Sequence, residues 1–450
     1  MSETLAFPPT PRRAWPYDRR EAKTLLLQAT PIAMLALVNM AMSVTDTVMA
    51  AAHGTGALAA VAVGSDFYSI VFYLVAGTIG GLAPLYAAAS EAGDEERLKG
   101  LRSAGWAVVA LVAALAASLV WHAPSYLGHL GLDPELLAHG AGYTRAMALT
   151  LIPMAVTATL RCRLTAIERP GLLLRVTIAA VPLNALGNQI LMNGFGGWAG
   201  YGITGAGLSS LLVSSFTALA LLVLGRRAGD FGAAPRIERG TVAEVLRIGL
   251  PIGLATLAEV GIFLSATLYA ATLGAEAAAA HAVAIRTAGV SYIVSIGLLQ
   301  ATTVRMARSR DHRVTIATAM SVSAGAGAAL CSLLLVAAAL MTGGADGVDL
   351  GLRPALEAAA PLVALLAASE FLGPANAAAA GLLRGCRDTR AAMLFSVFGN
   401  WCVAAPVAIA LASGLAWGAT GIWIGLTAGS LTASLLTIGR VPRLWPAPAI

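Results

Sequence analysis

Charge is what this sequence has least of. Only 12% of its 450 residues are Asp, Glu, Lys or Arg, where an ordinary soluble domain has about 25%. So few charges cannot cover the surface of a large water-facing core, which excludes that class. Cysteine is scarce as well. Cys162, Cys331, Cys386 and Cys402 are the four, none in a CxxC pair and two inside apolar runs. A disulfide framework and a thiolate metal centre are therefore not expected. At 6% aromatic residues, a dense aromatic cage for organic cations is not evident. There is no P-loop, no glycine-rich dinucleotide fingerprint after a strand, no HExxH and no GxSxG. A pump that burns ATP within one chain is thus excluded, no enzyme is expected, and no cofactor or bound metal is called for.

What is present is apolar sequence: 58% of residues are hydrophobic and the mean hydropathy is +0.78. A helix needs about 20 apolar residues to span a bilayer. Twelve candidates satisfy this, at 25–50, 60–88, 102–122, 141–164, 170–194, 203–225, 248–273, 281–304, 314–341, 356–380, 391–412 and 418–439. The first ends in Val48-Met49-Ala50-Ala51-Ala52, which imitates a signal-peptidase site. It is too long for an ordinary signal peptide and carries Asp46, so it is read as a span. With the N-terminus inside, 26 of the 29 lysines and arginines fall in inside segments. The exceptions are Arg145, Arg286 and Arg353, while outside loops carry Asp133, Glu135, Glu276, Asp346 and Asp349. Such asymmetry marks the cytoplasmic side of a bacterial-type inner membrane and puts both termini there. The net charge of +6 then reflects topology and does not point to nucleic acid.

The longest charged connector runs from Gly225 to Gly240, with six spans on either side. The chain divides into an N-terminal segment (1–24), a first lobe (25–225), a linker (226–247), a second lobe (248–439) and a tail (440–450). An even number of spans per half makes the repeats parallel. Sequence matches support duplication. Pro31 through Asn39 resembles Pro251 through Glu259, Leu160-Arg161 resembles Leu383-Arg384, and Leu183-Asn184 resembles Gly399-Asn400. Tyr201-Gly202-Ile203-Thr204-Gly205 likewise resembles Trp417-Gly418-Ala419-Thr420-Gly421.

Polar groups inside the spans are costly at bilayer depth and are the candidate site residues. Asn39, Ser43 and Asp46 lie at i, i+4 and i+7, on one helical face of span one. Thr177, Asn184 and Asn188 do the same in span five. They predict a hydrated pocket with Asp46 as its titratable group, or else hydrogen bonds that glue helices together. In the second lobe Glu259 and Glu370 each lie about 14 residues, roughly 21 Å, from the outer ends of their spans. They could share a proton, hold a small hard cation, or pair structurally. Arg286 is expected to snorkel outward, and His281 to sit at the interface with a minor claim to proton handling.

In all this the chain resembles the multidrug and toxic compound extrusion (MATE) family. The carrying residues are Pro31 through Ala50 with Val44-Thr45-Asp46-Thr47; Val63-Gly64-Ser65; Gly80-Gly81-Leu82-Ala83-Pro84; Leu183 through Asn188; Gly194-Phe195-Gly196; Gly205-Ala206-Gly207; Gly249-Leu250-Pro251-Ile252 with Glu259; Ala279-Ala280-His281; and Leu383-Arg384-Gly385-Cys386-Arg387-Asp388-Thr389. The resemblance implies twelve helices in two six-helix lobes around a cleft, and export of organic, often cationic, compounds in exchange for proton or sodium influx. It places the acidic residue of span one on Asp46, its polar partners on Asn184 and Asn188, and the acidic residue of span seven on Glu259. Relatives with a cation site in the second lobe carry an Asp where this chain has Gly373, with Asn376 nearby and Glu370 one turn away. That departure leans the expectation towards protons.

A flippase for a lipid-linked polar headgroup is the alternative. It would want several basic residues in its cleft, and Arg286 is the one intramembrane arginine the sequence suggests. A membrane-embedded enzyme lacks a clustered catalytic set, and a structural or receptor bundle has no need of Glu259. The chain is expected to act as a monomer on small drug-like molecules within the lipid bilayer.

Overall fold

In the computed structural model the described residues are 16–51, 53, 55–129, 134–227, 237–343 and 353–444. Arg12, Arg13, Asp133, Arg236, Asp346 and Asp349 lie outside them, as do the side chains of Ser43, Glu276 and Arg353.

The chain is helical in α1 (Arg19–Ala51), α2 (Thr55–Gly80), α3 (Leu82–Ala92), α4 (Glu95–Trp121), α5 (Ala123–His129), α6 (Pro134–Ala166), α7 (Pro170–Asn193) and α8 (Ile203–Arg227). The second half adds α9 (Arg239–Thr272), α10 (Ala275–Arg308), α11 (His312–Gly343), α12 (Arg353–Gly385), α13 (Thr389–Val397), α14 (Ala405–Ile409) and α15 (Gly418–Arg440). A wide π-turn stretch, Phe398–Ala404, joins α13 to α14, and a second, Ala410–Gly414, continues the rod beyond α14. Twelve helices or fused rods are long and apolar enough to cross a membrane, as the hydropathy pattern predicts. In hydrocarbon a backbone must satisfy its own polar groups, and a helix does so within one segment. Short, chemically defined turns separate the rods. Gly93, at φ +67°, caps α3, and the side chain of Asp94 accepts a hydrogen bond from the Arg97 amide at the start of α4.

Each lobe has its own apolar core. One contains Ile79, Leu82, Leu101, Val108 and Leu151; the other contains Ile262, Leu362, Val363, Ile422 and Trp423. The lobes also exchange their leading helices at the arginine-rich end. Val245, Ile248 and Ile252 of α9 belong to the first core. Leu25 and Ala29 of α1 pack with Leu298, Ala301 and Met306 of α10.

Glycine permits the closest of these approaches. A Cβ on Gly81, at the break between α2 and α3, would lie 2.6 Å from the Cα of Gly249. One on Gly249 would lie 1.9 Å from the carbonyl oxygen of Thr78, and one on Gly77 would lie 2.6 Å from the Cα of Gly253. On the other side of the seam, a Cβ on Gly297 of α10 would lie 2.8 Å from the carbonyl oxygen of Ala29 on α1. Small residues of this kind bring membrane helices to backbone contact.

Candidate ion-coupling site and the seam between the lobes

Packing of α1 on α7 brings together residues more than a hundred positions apart. Asn184 and Asn188 both donate from Nδ2 to the same oxygen of Asp46, at 3.0 and 2.5 Å. Both asparagines are buried. Their spacing of one helical turn puts both amides on the face that meets α1. With both amides spent on one carboxylate oxygen, the Oδ1 of Asn188 is buried without a partner. The second oxygen of Asp46 accepts no hydrogen bond among the described residues. A carboxylate held by two neutral donors and no cation can take up a proton or a small cation at that free oxygen.

The pocket has members that helical spacing alone could not reveal. Tyr143 of α6 is buried, hydrogen-bonds Ser65 of α2 and lies within electrostatic reach of Asp46. Ser209 of α8 braces the backbone of Asn184, donating to its carbonyl at 3.3 Å. Asn39 is placed otherwise than expected. It is exposed, about two turns from Asp46, and makes no hydrogen bond among the described residues.

The second lobe gathers Glu259 of α9 and Glu370 of α12, and electrostatics couples the two. Glu370 folds back over Gly373: a Cβ on that glycine would lie 2.8 Å from its Oε2. The carboxylate therefore occupies the space that a side chain at 373 would need, and its Oε2 is buried with no hydrogen-bond partner among the described residues. Two further groups belong here. Tyr292 of α10 and Arg384 of α12 lie within electrostatic range of Glu259. Arg384 corrects the sequence reading, which assigned it to an inside loop and left Arg286 as the sole intramembrane arginine. It is the penultimate residue of α12 and half-buried.

His281 is buried, at 1% exposure. The Trp423 indole N–H donates to its Nδ1 at 3.2 Å. That bond leaves the proton on Nε2, which faces the Thr267 hydroxyl at 3.1 Å, and Thr267 in turn donates to the Phe263 carbonyl. Each polar group in this chain is satisfied with a neutral imidazole, and His281 ties α9, α10 and α15 together.

Away from the carboxylates, the arginine-rich end of the seam is closed by ion pairs. Arg305 at the end of α10 grips both oxygens of Glu21 on α1, at 2.9 and 2.5 Å, and reaches Glu168 at 2.6 Å. Arg308 donates to the Ala166 carbonyl at 2.8 Å and pairs with Glu91 at 3.2 Å. Arg310 pairs with the same Glu91 at 3.0 Å. On the other side of the pseudo-twofold, Arg97 of α4 pairs with Glu244 of α9, which also accepts from Arg387 at 3.2 Å. Glu168 and Arg387 occupy equivalent turns, each left-handed at φ +59° and +65°.

The duplicated architecture appears again in the comparisons. The family model MatE matches twice, over residues 31–190 and 251–410. The chain belongs to the MatE family. The probable multidrug resistance protein NorM of Brucella suis biovar 1 (strain 1330) is 32% identical over 436 residues, covering 93% of this chain and 92% of its own length. The multidrug resistance protein NorM of Burkholderia vietnamiensis is 30% identical over 460 residues, covering 98% and 96%. Among solved structures, the eukaryotic MATE transporter AtDTX14 superposes with a TM-score of 0.81 at 19% identity, over 95% of this chain and 98% of its own. A multidrug resistance MATE transporter of the MOP superfamily, solved in an outward-facing conformation, superposes with a TM-score of 0.80 at 16% identity, over 95% and 97%. These likenesses establish the MATE fold, with its twelve membrane helices.

Proposed function

We propose that this chain is a secondary multidrug exporter that extrudes organic, often cationic, compounds through the cleft between its lobes in exchange for cation influx. The observation that carries the reading is Asp46, a carboxylate on a membrane-length helix that accepts from two asparagine amides at one oxygen and has no hydrogen bond at the other among the described residues. The curated relatives named as multidrug resistance proteins supply the substrate class. The chain sits in the bacterial inner membrane as a monomer, with the arginine-rich end and both termini in the cytoplasm.

The coupling ion is a proton. In the first lobe a single carboxylate faces neutral amides, which suits a proton better than a hard cation wanting several oxygen ligands. In the second lobe Glu370 stands in for the carboxylate missing at Gly373, and it shares the charge balance of Glu259 with Arg384. Coupling requires that occupancy change the relative stability of the two states; equal affinity in both shifts nothing. The closed arginine-rich seam is one of those states, with the cytoplasmic path shut. Cation binding at Asp46 or Glu259 biases the choice between that arrangement and one in which the ion pairs part and the cytoplasmic side opens.

The test is export of a fluorescent cationic dye from cells lacking their own pumps, with and without a protonophore, at low and high sodium. Export abolished by the protonophore and not restored by sodium supports the reading. Asp46→Asn and Glu259→Gln report which lobe couples. Export that persists on a sodium gradient alone overturns the proton assignment. Absence of export for every dye, with protein correctly in the membrane, overturns the multidrug reading.

A further inference from the structure

At the arginine-rich end of the second lobe lies a cavity of about 410 Å³, lined by Glu244 and Arg247 of α9 and by Arg387, Asp388, Thr389 and Arg390 where the chain turns into α13. Its charges do not cancel. The Glu244 carboxylate is answered by Arg97 from the first lobe as well as by Arg387. Asp388 is answered by Arg440, whose Nε and Nη2 both lie 3.0 Å from its Oδ2. Arg97 and Arg440 are not part of the lining, so they neutralise both carboxylates from outside and leave three guanidinium groups facing one space. Arg247 and Arg390 are exposed and make no hydrogen bond or ion pair among the described residues. Arg387 is 49% exposed and spends one nitrogen on Glu244.

A second observation points the same way. Asp388 is the residue before α13 and would ordinarily cap it, yet its side chain makes no capping bond. Arg440 holds that carboxylate instead. The first backbone N–H groups of α13 therefore lack a side-chain acceptor, at the end of the helix where an anion is favoured.

Two guanidiniums without partners among the described residues, those of Arg247 and Arg390, with Arg387 half-engaged on Glu244, stand beside an uncapped helix start and leave the lining with an excess of positive charge. It fits a group with several anionic oxygens, which guanidinium forks bind bidentately. We propose that this cavity binds a phosphate group, that of an anionic phospholipid headgroup from the leaflet it faces. Basic pockets between membrane helices on the cytoplasmic side are suited to such headgroups. The cavity abuts the Arg97–Glu244 contact that joins the lobes, so a bound phosphate adds to the closed seam and favours that state.

The test uses the full chain, purified in detergent, with phosphatidylglycerol, phosphatidylcholine or millimolar inorganic phosphate as probes. Retained lipid is read by native mass spectrometry and stability by Tm. The double variant Arg247→Gln with Arg390→Gln removes two guanidiniums that make no bonds, so its Tm without added lipid should match wild type. Wild type should retain phosphatidylglycerol over phosphatidylcholine and gain Tm from it. The double variant should bind it about ten- to a hundredfold more weakly, the loss expected for charge-assisted hydrogen bonds. A Tm gain from inorganic phosphate in wild type only, with none from phosphatidylglycerol, keeps the phosphate site and assigns it to a soluble source. Equal retention of phosphatidylglycerol by wild type and double variant, with no phosphate effect on either, overturns the proposal.

Discussion

Replacing Arg305 by glutamine tests whether ion pairs hold the arginine-rich end of the seam shut. Arg305 makes three contacts across it, two to Glu21 and one to Glu168. The three side chains are 20%, 14% and 29% exposed. Fully buried pairs cost about 3–5 kcal/mol when one partner is removed, and exposed pairs contribute about 1 kcal/mol or less. At this intermediate exposure we expect about 2 kcal/mol, a shift of roughly 30-fold from closed towards open at the arginine-rich end. The assay is a pulsed electron–electron distance measurement between spin labels on cysteines placed at Glu95 and Arg443, both exposed at that end, in a background with the four native cysteines replaced. The variant should gain a population at longer distance. Glu21→Gln should produce part of the same shift, and adding it to Arg305→Gln should cost less than its effect alone, because the pair is already broken. Identical distance distributions for wild type and Arg305→Gln, at equal yield, would refute the reasoning and make these pairs mere surface decoration.

Four further outcomes are expected. Gly373→Ala should displace the Glu370 carboxylate, since its Cβ would lie 2.8 Å from Oε2; export should fall several-fold with little change in yield, and the change should have no effect in a Glu370→Gln background. Gly249→Ala meets the Thr78 carbonyl at 1.9 Å, so the lobes cannot close as they do here, and the spin-label distances should lengthen as for Arg305→Gln. Trp423→Phe leaves the Nδ1 of His281 without its donor and should lower stability by about 1–3 kcal/mol, read as a lower Tm, while the ratio of export with and without protonophore stays unchanged. Burial and the adjacent Asp388 carboxylate push the Cys386 thiol up to about 11, so little thiolate exists at neutral pH and its maleimide labelling should accelerate as pH rises towards that value; rapid labelling at pH 7 would contradict this.

Much of the fold was legible because membrane insertion is a local property. A run of apolar residues must become a helix in hydrocarbon wherever it lies in the chain. Turn chemistry was partly legible too, as in Gly93-Asp94. Asp46, Asn184 and Asn188 could be placed on helical faces from spacing, and the structure joins those faces. Tyr143 carried no such signal, since one tyrosine in an apolar span looks like any other packed aromatic. Arg384 was read as a loop residue because it lies at the very end of its helix, and the bond from Trp423 to His281 joins residues 142 positions apart that no spacing pattern links. Gly373 is the most instructive position. In the sequence it is a missing carboxylate, and in the structure it is the room into which Glu370 folds.

The sequence by itself determined the number of spans, their sidedness signals, the internal duplication and the short set of polar groups that hydrocarbon would not tolerate without cause. Each of these follows from composition and period within a single helix. Tertiary structure alone decided which of those groups meet. Two asparagines on α7 spend themselves on one oxygen of Asp46, Arg384 comes within electrostatic range of Glu259, and the arginine-rich ends of the lobes interlock. Contacts between helices hundreds of residues apart depend on how small residues let backbones approach, and no local pattern encodes which glycine will face which.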